Sequence, residues 1–308
     1  MIKVEFAAGD ARWDVYEAPL KQAFAKLNLD VDLRLGHAPQ DVEYIVYAPG
    51  SYLQDFTPFT NAKAVLNLWA GVERIVGNET LTMPLCRMVD PGLSTAMVEW
   101  VSGHTLRYHL EIDRCLATQN RWDPYVPPLA KDRPVTILGL GELGQSCAKA
   151  LAALGFPVTG WSRSERDVPG VTCRFGEDGM HAALSNAEIV VLLLPDTPAT
   201  RDLLNAQTLL HLPKGARILN PGRGPLIDDN ALLAALDNGQ IGHATLDVFR
   251  VEPLPQGHPY WTHPNVTVTP HIAAETRPST AAEVVAENIR RGEAGVEFIY
   301  QVDRDKGY

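Results

Sequence analysis

Cysteine is scarce: Cys86, Cys115, Cys147 and Cys173 are the only four in 308 residues, and no two form a C-x-x-C pair. That excludes a disulfide framework and a cysteine-built zinc site, and predicts reduced thiols in a cytoplasmic protein. Long apolar runs are missing too. The longest, 189–194, falls far short of the roughly 20 residues that a membrane-spanning helix needs, so no membrane partner is expected. The opening MIKVEFAAGD has no basic stretch leading into an apolar one, which predicts no secretory signal. Positive charge is in deficit, with 27 Lys and Arg against 37 Asp and Glu and a formal net charge of −10. No nucleic-acid partner held by phosphate neutralisation fits that balance. An anionic ligand therefore needs a positive group of its own in the pocket. His258 and His263 occur without an H-E-x-x-H, so no metal is expected, and G-x-S-x-G is absent. Repeats and low-complexity tracts are absent as well.

What is present is ordinary for a soluble globular chain, 45% hydrophobic and 21% charged. The length favours two domains. Strands are predicted at 2–6, 31–35, 44–48 and 64–68, with a helix at 18–27, an alternation that builds a parallel sheet covered by helices. One long helix is predicted over 93–116. A loop at 120–134, rich in Pro and aromatics and holding Trp122 and Tyr125, marks a seam.

Beyond the seam, strands are predicted at 135–138, 158–161, 189–194, 217–220, 243–247 and 266–269. Six is the number used by a doubly wound dinucleotide-binding domain of Rossmann type. Helices fit between them: one over 142–154 ended by Gly155, another capped by Asp228 and closed before Gly239. A last helix, 278–291, is expected to pack back on the first domain.

Gly139, Gly141 and Gly144 form a G-x-G-x-x-G directly after a strand and at the start of a helix. The first glycine permits the tight turn, the second lets the backbone approach a pyrophosphate, and the third lets helix and strand pack closely. The helix N-terminus then offers free N–H groups to phosphate. NAD-binding domains place an acid at the end of the second strand to hold the ribose 2′-hydroxyl. Here that point reads Ser162, Arg163, Ser164. Arg163 suits a 2′-phosphate, and either serine can hydrogen-bond it, so NADPH is preferred to NADH.

Three further polar residues follow predicted strands: Arg223, Glu252 (five residues beyond Asp247) and His271. Ligands of open parallel sheets lie beyond the carboxyl ends of strands, so these side chains are expected to converge in one cleft. Ketone reduction explains the set. As hydride reaches the carbonyl carbon, the oxygen must gain a proton, and histidine is a suitable donor near neutral pH. Glu252 would stabilise the imidazolium of His271. Arg223 would fork onto a substrate carboxylate and polarise the carbonyl.

These residues and their surrounding motifs resemble the D-2-hydroxyacid dehydrogenases over almost the whole chain. The carrying stretches are Leu68 to Glu73, Gly139 to Gly144, Trp161 to Ser164, Leu194 to Thr197, Asn220 to Gly224, Leu246 to Phe249 with Glu252 to Pro255, Thr269 to Ala274, and the C-terminal Val302 to Tyr308. Within that family the likeness is to a branch acting on glyoxylate and hydroxypyruvate. The resemblance implies an α/β fold of two doubly wound domains: a flavodoxin-like substrate domain from 1–97 plus 275–308, and a dinucleotide-binding domain over 98–274. It implies a homodimer, a small 2-keto or 2-hydroxy acid substrate, and hydroxy acids of R configuration. His271 becomes the acid/base, Glu252 its partner and Arg223 the substrate clamp. The loop at Trp69, Ala70 and Gly71 would receive the substrate carboxylate. Contact with the cofactor would extend to Glu142, Leu143, Leu194, Pro195, Thr200, Pro221, Gly222, Asp247, His271 and Ala273. Two departures stand out: many relatives have a smaller residue at Trp69, and a different pair before the arginine where this chain has Pro221 and Gly222. The rival readings are a dehydrogenase of the same family for longer or phenyl keto acids, and a nucleotide sensor without chemistry.

Overall fold

The computed structural model describes residues 1–304, 306 and 307; Asp305 and Tyr308 of the C-terminal motif lie outside the described residues. The chain divides into two compact units, Met1–Leu93 with Glu275–Tyr308, and Ser94–Ala274.

The first unit opens with β1 (Ile2–Ala7), α1 (Asp10–Lys26), β2 (Val31–Arg34), β3 (Tyr44–Tyr47), β4 (Ala64–Asn67) and β5 (Leu85–Cys86). Helix α1 begins well before the predicted 18–27. Pro19, a residue suited to a helix start, sits in its interior, and Tyr16, Leu20, Ala23 and Phe24 bury one face. That burial outweighs the backbone hydrogen bond that the proline removes. The two-residue β5 is too short to carry a periodic signal.

The second unit begins within α2 (Pro91–His109), which α3 (Ile112–Ala117) follows, where one helix over 93–116 was predicted. The break falls at Glu111, which is left-handed at φ 54. Tertiary contacts impose it. Arg217 donates to the Glu111 carboxylate at 2.7 Å, and buried Arg133 donates to the carbonyls of Tyr108 and His109, satisfying the end of α2. There follow β6 (Val135–Leu138), α4 (Glu142–Ala153), β7 (Val158–Ser162), β8 (Thr172–Phe175), α5 (Gly176–Leu184), β9 (Ile189–Leu192), α6 (Ala206–Leu209), β10 (Ala216–Asn220), α7 (Asp229–Asp237), β11 (Ile241–Leu246) and β12 (Val266–Val268). The predicted cap holds: the Asp228 carboxylate accepts from the N–H groups of Asn230 and Ala231 at the start of α7. The chain then returns to the first unit in α8 (Pro278–Glu293).

Both sheets are parallel. The first has the order β2-β1-β3-β4-β5, the flavodoxin arrangement. The second reads β12-β11-β10-β9-β6-β7-β8, seven strands rather than the six predicted. The unforeseen one is β8, a mostly exposed edge strand that lacks the apolar run of the others. With it, the order of a full Rossmann sheet is complete before β12 adds one more strand. Strands that read as unbroken apolar runs are buried on both faces. Val190 and Leu192 pack with α5 and α7, while Ile189 and Val191 pack with α2 and α4. In the first unit α1 and α8 cover one face of the sheet through Leu20, Phe24, Ala282, Val285 and Ile289. Among the described residues no helix is long and apolar enough to cross a membrane.

The order reverses between β6 and β9, and the glycine turn follows β6 at that point. Gly139 has φ 111, and a Cβ on Gly144 would lie 1.8 Å from the Gly139 carbonyl oxygen. A Cβ on Gly141 would meet nothing within 4 Å. In ligand-free protein, Gly144→Ala should therefore cost about 1–3 kcal/mol of stability by denaturant titration, and Gly141→Ala close to nothing. Equal losses would contradict this account of the turn.

Candidate active site

Successive strands of the second sheet deliver the candidate residues at their carboxyl ends. β6 leads into Gly139, Gly141 and Gly144, with Glu142 exposed and Leu143 half-buried at the start of α4. The neighbouring β7 ends in Ser162, followed by exposed Arg163 and Ser164. The Ser162 hydroxyl donates to the Ser164 carbonyl at 2.7 Å, so it shapes this turn. Beyond β9 come half-buried Leu194 and Pro195. Thr200 closes that loop: its hydroxyl donates to the Pro195 carbonyl at 2.6 Å and accepts from the Thr197 N–H at 2.9 Å.

Past β10, Pro221 and Gly222 are buried and Arg223 is partly exposed. Sequence reasoning missed the residue that shapes this turn. Buried Asn220 donates from its amide to the Arg223 carbonyl at 2.9 Å and accepts from the Gly222 N–H at 3.2 Å. The signal was an asparagine at the last position of a strand, directly before Pro-Gly. The Arg223 guanidinium donates to the Gly222 carbonyl at 2.7 Å, and its charge acts on both Glu252 and His271. A Cβ on Gly224 would fall 2.0 Å from the Phe249 carbonyl carbon. Only glycine lets the arginine turn rest on the loop that carries Glu252.

Asp247, immediately after β11, is fully buried. Its carboxylate accepts from the Thr269 hydroxyl at 2.5 Å and from the N–H groups of Ile272 and Ala273 at 3.0 and 2.9 Å. Ala273 itself is a core residue. The His271 N–H donates to the Asp247 carbonyl at 2.8 Å. His271 has φ 55, a left-handed backbone that a non-glycine residue keeps only when its surroundings over-determine it.

The His271 side chain is half-exposed, and its Nδ1 lies 2.7 Å from Glu252 Oε2. Glu252 Oε1 accepts from the Phe249 N–H at 2.9 Å, so both carboxylate oxygens are engaged. The hydrogen bond to Glu252 raises the His271 pKa against the opposing effect of burial, and the charges of Glu252 and Asp247 add to the rise. Burial pushes the Glu252 carboxyl up, but the hydrogen bonds from His271 and Phe249 outweigh it and hold it below its usual range. The outcome is an imidazole that carries a proton at higher pH than a free histidine.

Trp69, Ala70 and Gly71 lie in the loop that follows β4 of the other sheet. Buried Asn67 donates to the carbonyls of Trp69 and Gly71 at 2.8 and 3.1 Å. Among the described residues, the N–H groups of Ala70 and Gly71 donate to no acceptor.

A doubly wound sheet with a glycine-rich turn at its switch point and a carboxylate–histidine pair beside an arginine fits a nucleotide-dependent oxidoreductase. The chain belongs to the D-isomer specific 2-hydroxyacid dehydrogenase family, whose NAD-binding-domain model matches residues 104–273. It is 42% identical over 255 residues to glyoxylate/hydroxypyruvate reductase A of Serratia proteamaculans (strain 568), covering 80% of this chain and 82% of that protein. Its structure is similar to a D-isomer specific 2-hydroxyacid dehydrogenase from Xanthobacter autotrophicus Py2 solved with NADPH and MES, at 41% identity and TM-score 0.92 over 100% and 99% of the two chains. It is also similar to the NADPH-dependent glyoxylate/hydroxypyruvate reductase of Sinorhizobium meliloti solved with NADP and sulfate, at 34% identity and TM-score 0.88 over 100% of both chains.

Titration of the His271 ring by NMR should give a pKa above the ordinary histidine value of about 6.5. Glu252→Gln removes the partner's charge and should move it downward. A variant titrating as the parent does would separate the two side chains electrostatically.

Proposed function

We propose that this enzyme uses NADPH to reduce small 2-keto acids of the glyoxylate and hydroxypyruvate type to (R)-2-hydroxy acids. The 2.7 Å contact between His271 and Glu252, beside Arg223 at the ends of one parallel sheet, carries the reading. The turn from Gly139 to Gly144 fits a dinucleotide: the third glycine excludes any side chain, and open space faces the second. Gly139, Gly141, Glu142, Leu143 and Gly144 would hold the pyrophosphate, and Arg163 with Ser164 the 2′-phosphate. The absence of an acid at the end of β7 supports NADPH over NADH. When bound, NADPH supplies the hydride.

The chain's own residues do the rest. His271 delivers a proton from Nε2 to the carbonyl oxygen. Glu252 stabilises the imidazolium beforehand and fixes the ring. Arg223 forks onto the substrate carboxylate and draws electron density from the carbonyl. In the first unit, the N–H groups of Ala70 and Gly71, which donate to no acceptor among the described residues, suit a substrate carboxylate. Asp247 enters as the residue that fixes the loop of His271 and Ala273, and Pro221 and Gly222 as the turn that aims Arg223. A homodimer is supported by Leu116, Trp122, Val126 and Leu129, apolar side chains left 61–95% exposed. A cytoplasmic setting is supported by four free cysteines.

Oxidation of NADPH, followed by absorbance with glyoxylate or hydroxypyruvate, tests the reading. His271→Ala should lower kcat about 100-fold or more while NADPH still binds; a variant with near-parent kcat would remove the histidine from the reaction. Keto-acid reduction needs the protonated ring, so kcat/KM should fall as pH rises through the elevated His271 pKa, and Glu252→Gln should bring that fall to lower pH. Arg163→Ala should raise KM for NADPH far more than for NADH, and equal changes would refute the 2′-phosphate assignment.

A further inference from the structure

We propose that Arg12, lying across Trp69, determines specificity by donating to an oxygen on carbon 3 of the keto acid, so that a hydroxymethyl substrate is favoured over its methyl analogue. The inference rests on the reading above that the loop at Trp69, Ala70 and Gly71 receives the acid's carboxylate. It adds a residue that no part of that reading uses.

Arg12 stands in the first turn of α1, just beyond β1. One Nη donates to the carbonyl of Ala8 at 3.1 Å. The guanidinium carbon lies 5.4 Å from the centre of the Trp69 ring, within the range of a cation–π contact. β3 separates β1 from β4, so this side chain bridges the ends of two strands that are not neighbours. Among the described residues Arg12 forms no ion pair, in a chain whose net charge is −10. A guanidinium has five N–H donors. Most of this fork therefore has no protein acceptor, although the side chain is only partly exposed.

The neighbouring features give that fork a task. Asn67 ties down the carbonyls of the Trp69 loop, and the N–H groups of Ala70 and Gly71 remain unused. A carboxylate seated on them places the remainder of a small acid beside the indole. The ring is a flat apolar wall, 38% exposed and stacked under the guanidinium. A short substituent reaching past this wall meets the free N–H groups of Arg12. The local charge selects a neutral group over a second carboxylate. The Tyr16 phenol, pushed up to about 12 chiefly by burial, is raised further by Asp90 and Glu275 and lowered by Arg12. Asp90 and Glu275 thus act on the same phenol as Arg12. A hydroxyl oxygen accepts from Arg12 without adding a further negative charge beside them.

The test compares kcat/KM for glyoxylate, pyruvate and hydroxypyruvate, with NADPH, in the parent enzyme, Arg12→Gln and Arg12→Lys. Pyruvate and hydroxypyruvate differ by a single hydroxyl, and glyoxylate has no carbon 3. Arg12→Gln should lose about tenfold on hydroxypyruvate and change by less than about twofold on the other two. Arg12→Lys, which keeps the charge without the fork, should fall between. Equal losses on all three substrates would overturn the proposal, because Arg12 would then serve the shared carboxylate or merely support Trp69. Unchanged values on all three would overturn it as well. A parent enzyme that does not turn over glyoxylate would instead bring down the reading of function on which the proposal rests.

Discussion

The hydrogen bond between His271 and Glu252 depends on a buried carboxylate that touches neither side chain. Asp247 collects the Thr269 hydroxyl and the N–H groups of Ile272 and Ala273, and its own carbonyl accepts the His271 N–H. The loop after β12 is thereby wound around one side chain just beyond β11. An isolated buried carboxylate costs several kcal/mol, so the loop is stable only in the conformation that supplies those donors. That conformation places His271 at φ 55, which by itself costs about 1–2 kcal/mol. The histidine is thus aimed by its backbone before Glu252 fixes the ring.

The arginine is aimed in a related way. Asn220 accepts the Asp247 N–H through its carbonyl while its side chain shapes the Pro221–Arg223 turn. Gly224 then rests against the backbone of Phe249 and Arg250, in the loop that continues to Glu252. The turns beyond β10, β11 and β12 are consequently one hydrogen-bonded body. Their three candidate side chains are close in space though far apart in sequence, because the parallel sheet delivers every strand end to the same edge.

The sequence showed this arrangement where backbone demands restrict the residue type. The glycine spacing announced the tight turn between β6 and α4, Asp228 announced a helix start, and unbroken apolar runs announced strands covered on both faces. Less legible were elements set by distant partners. The break between α2 and α3 is imposed by Arg217 and Arg133, and nothing local in 93–116 foretells it. β8 lies at an edge where exposed side chains erase the apolar signal. The roles of Asn67, Asn220 and Asp247 escaped for a similar reason: each acts through hydrogen bonds to backbone, which no spacing pattern records. Arg12 gave no signal at all, since its contact with Trp69 joins strand ends far apart in the chain.

Net charge sets the last constraint. Both ligands of the proposed reaction are anions, and the protein carries a formal −10. At physiological ionic strength charges are screened over about 8 Å, so the overall field weakly opposes their approach and cannot choose where they settle. Selection must come from donors within hydrogen-bond reach. The proposed donors are the glycine turn, Arg163, Arg223 and the N–H groups of Ala70 and Gly71, each just beyond a strand end. A chain of net negative charge that offers such donors would disfavour anions away from them. It thereby turns a general repulsion into discrimination, since an anion that fails to engage several donors together gains too little to remain.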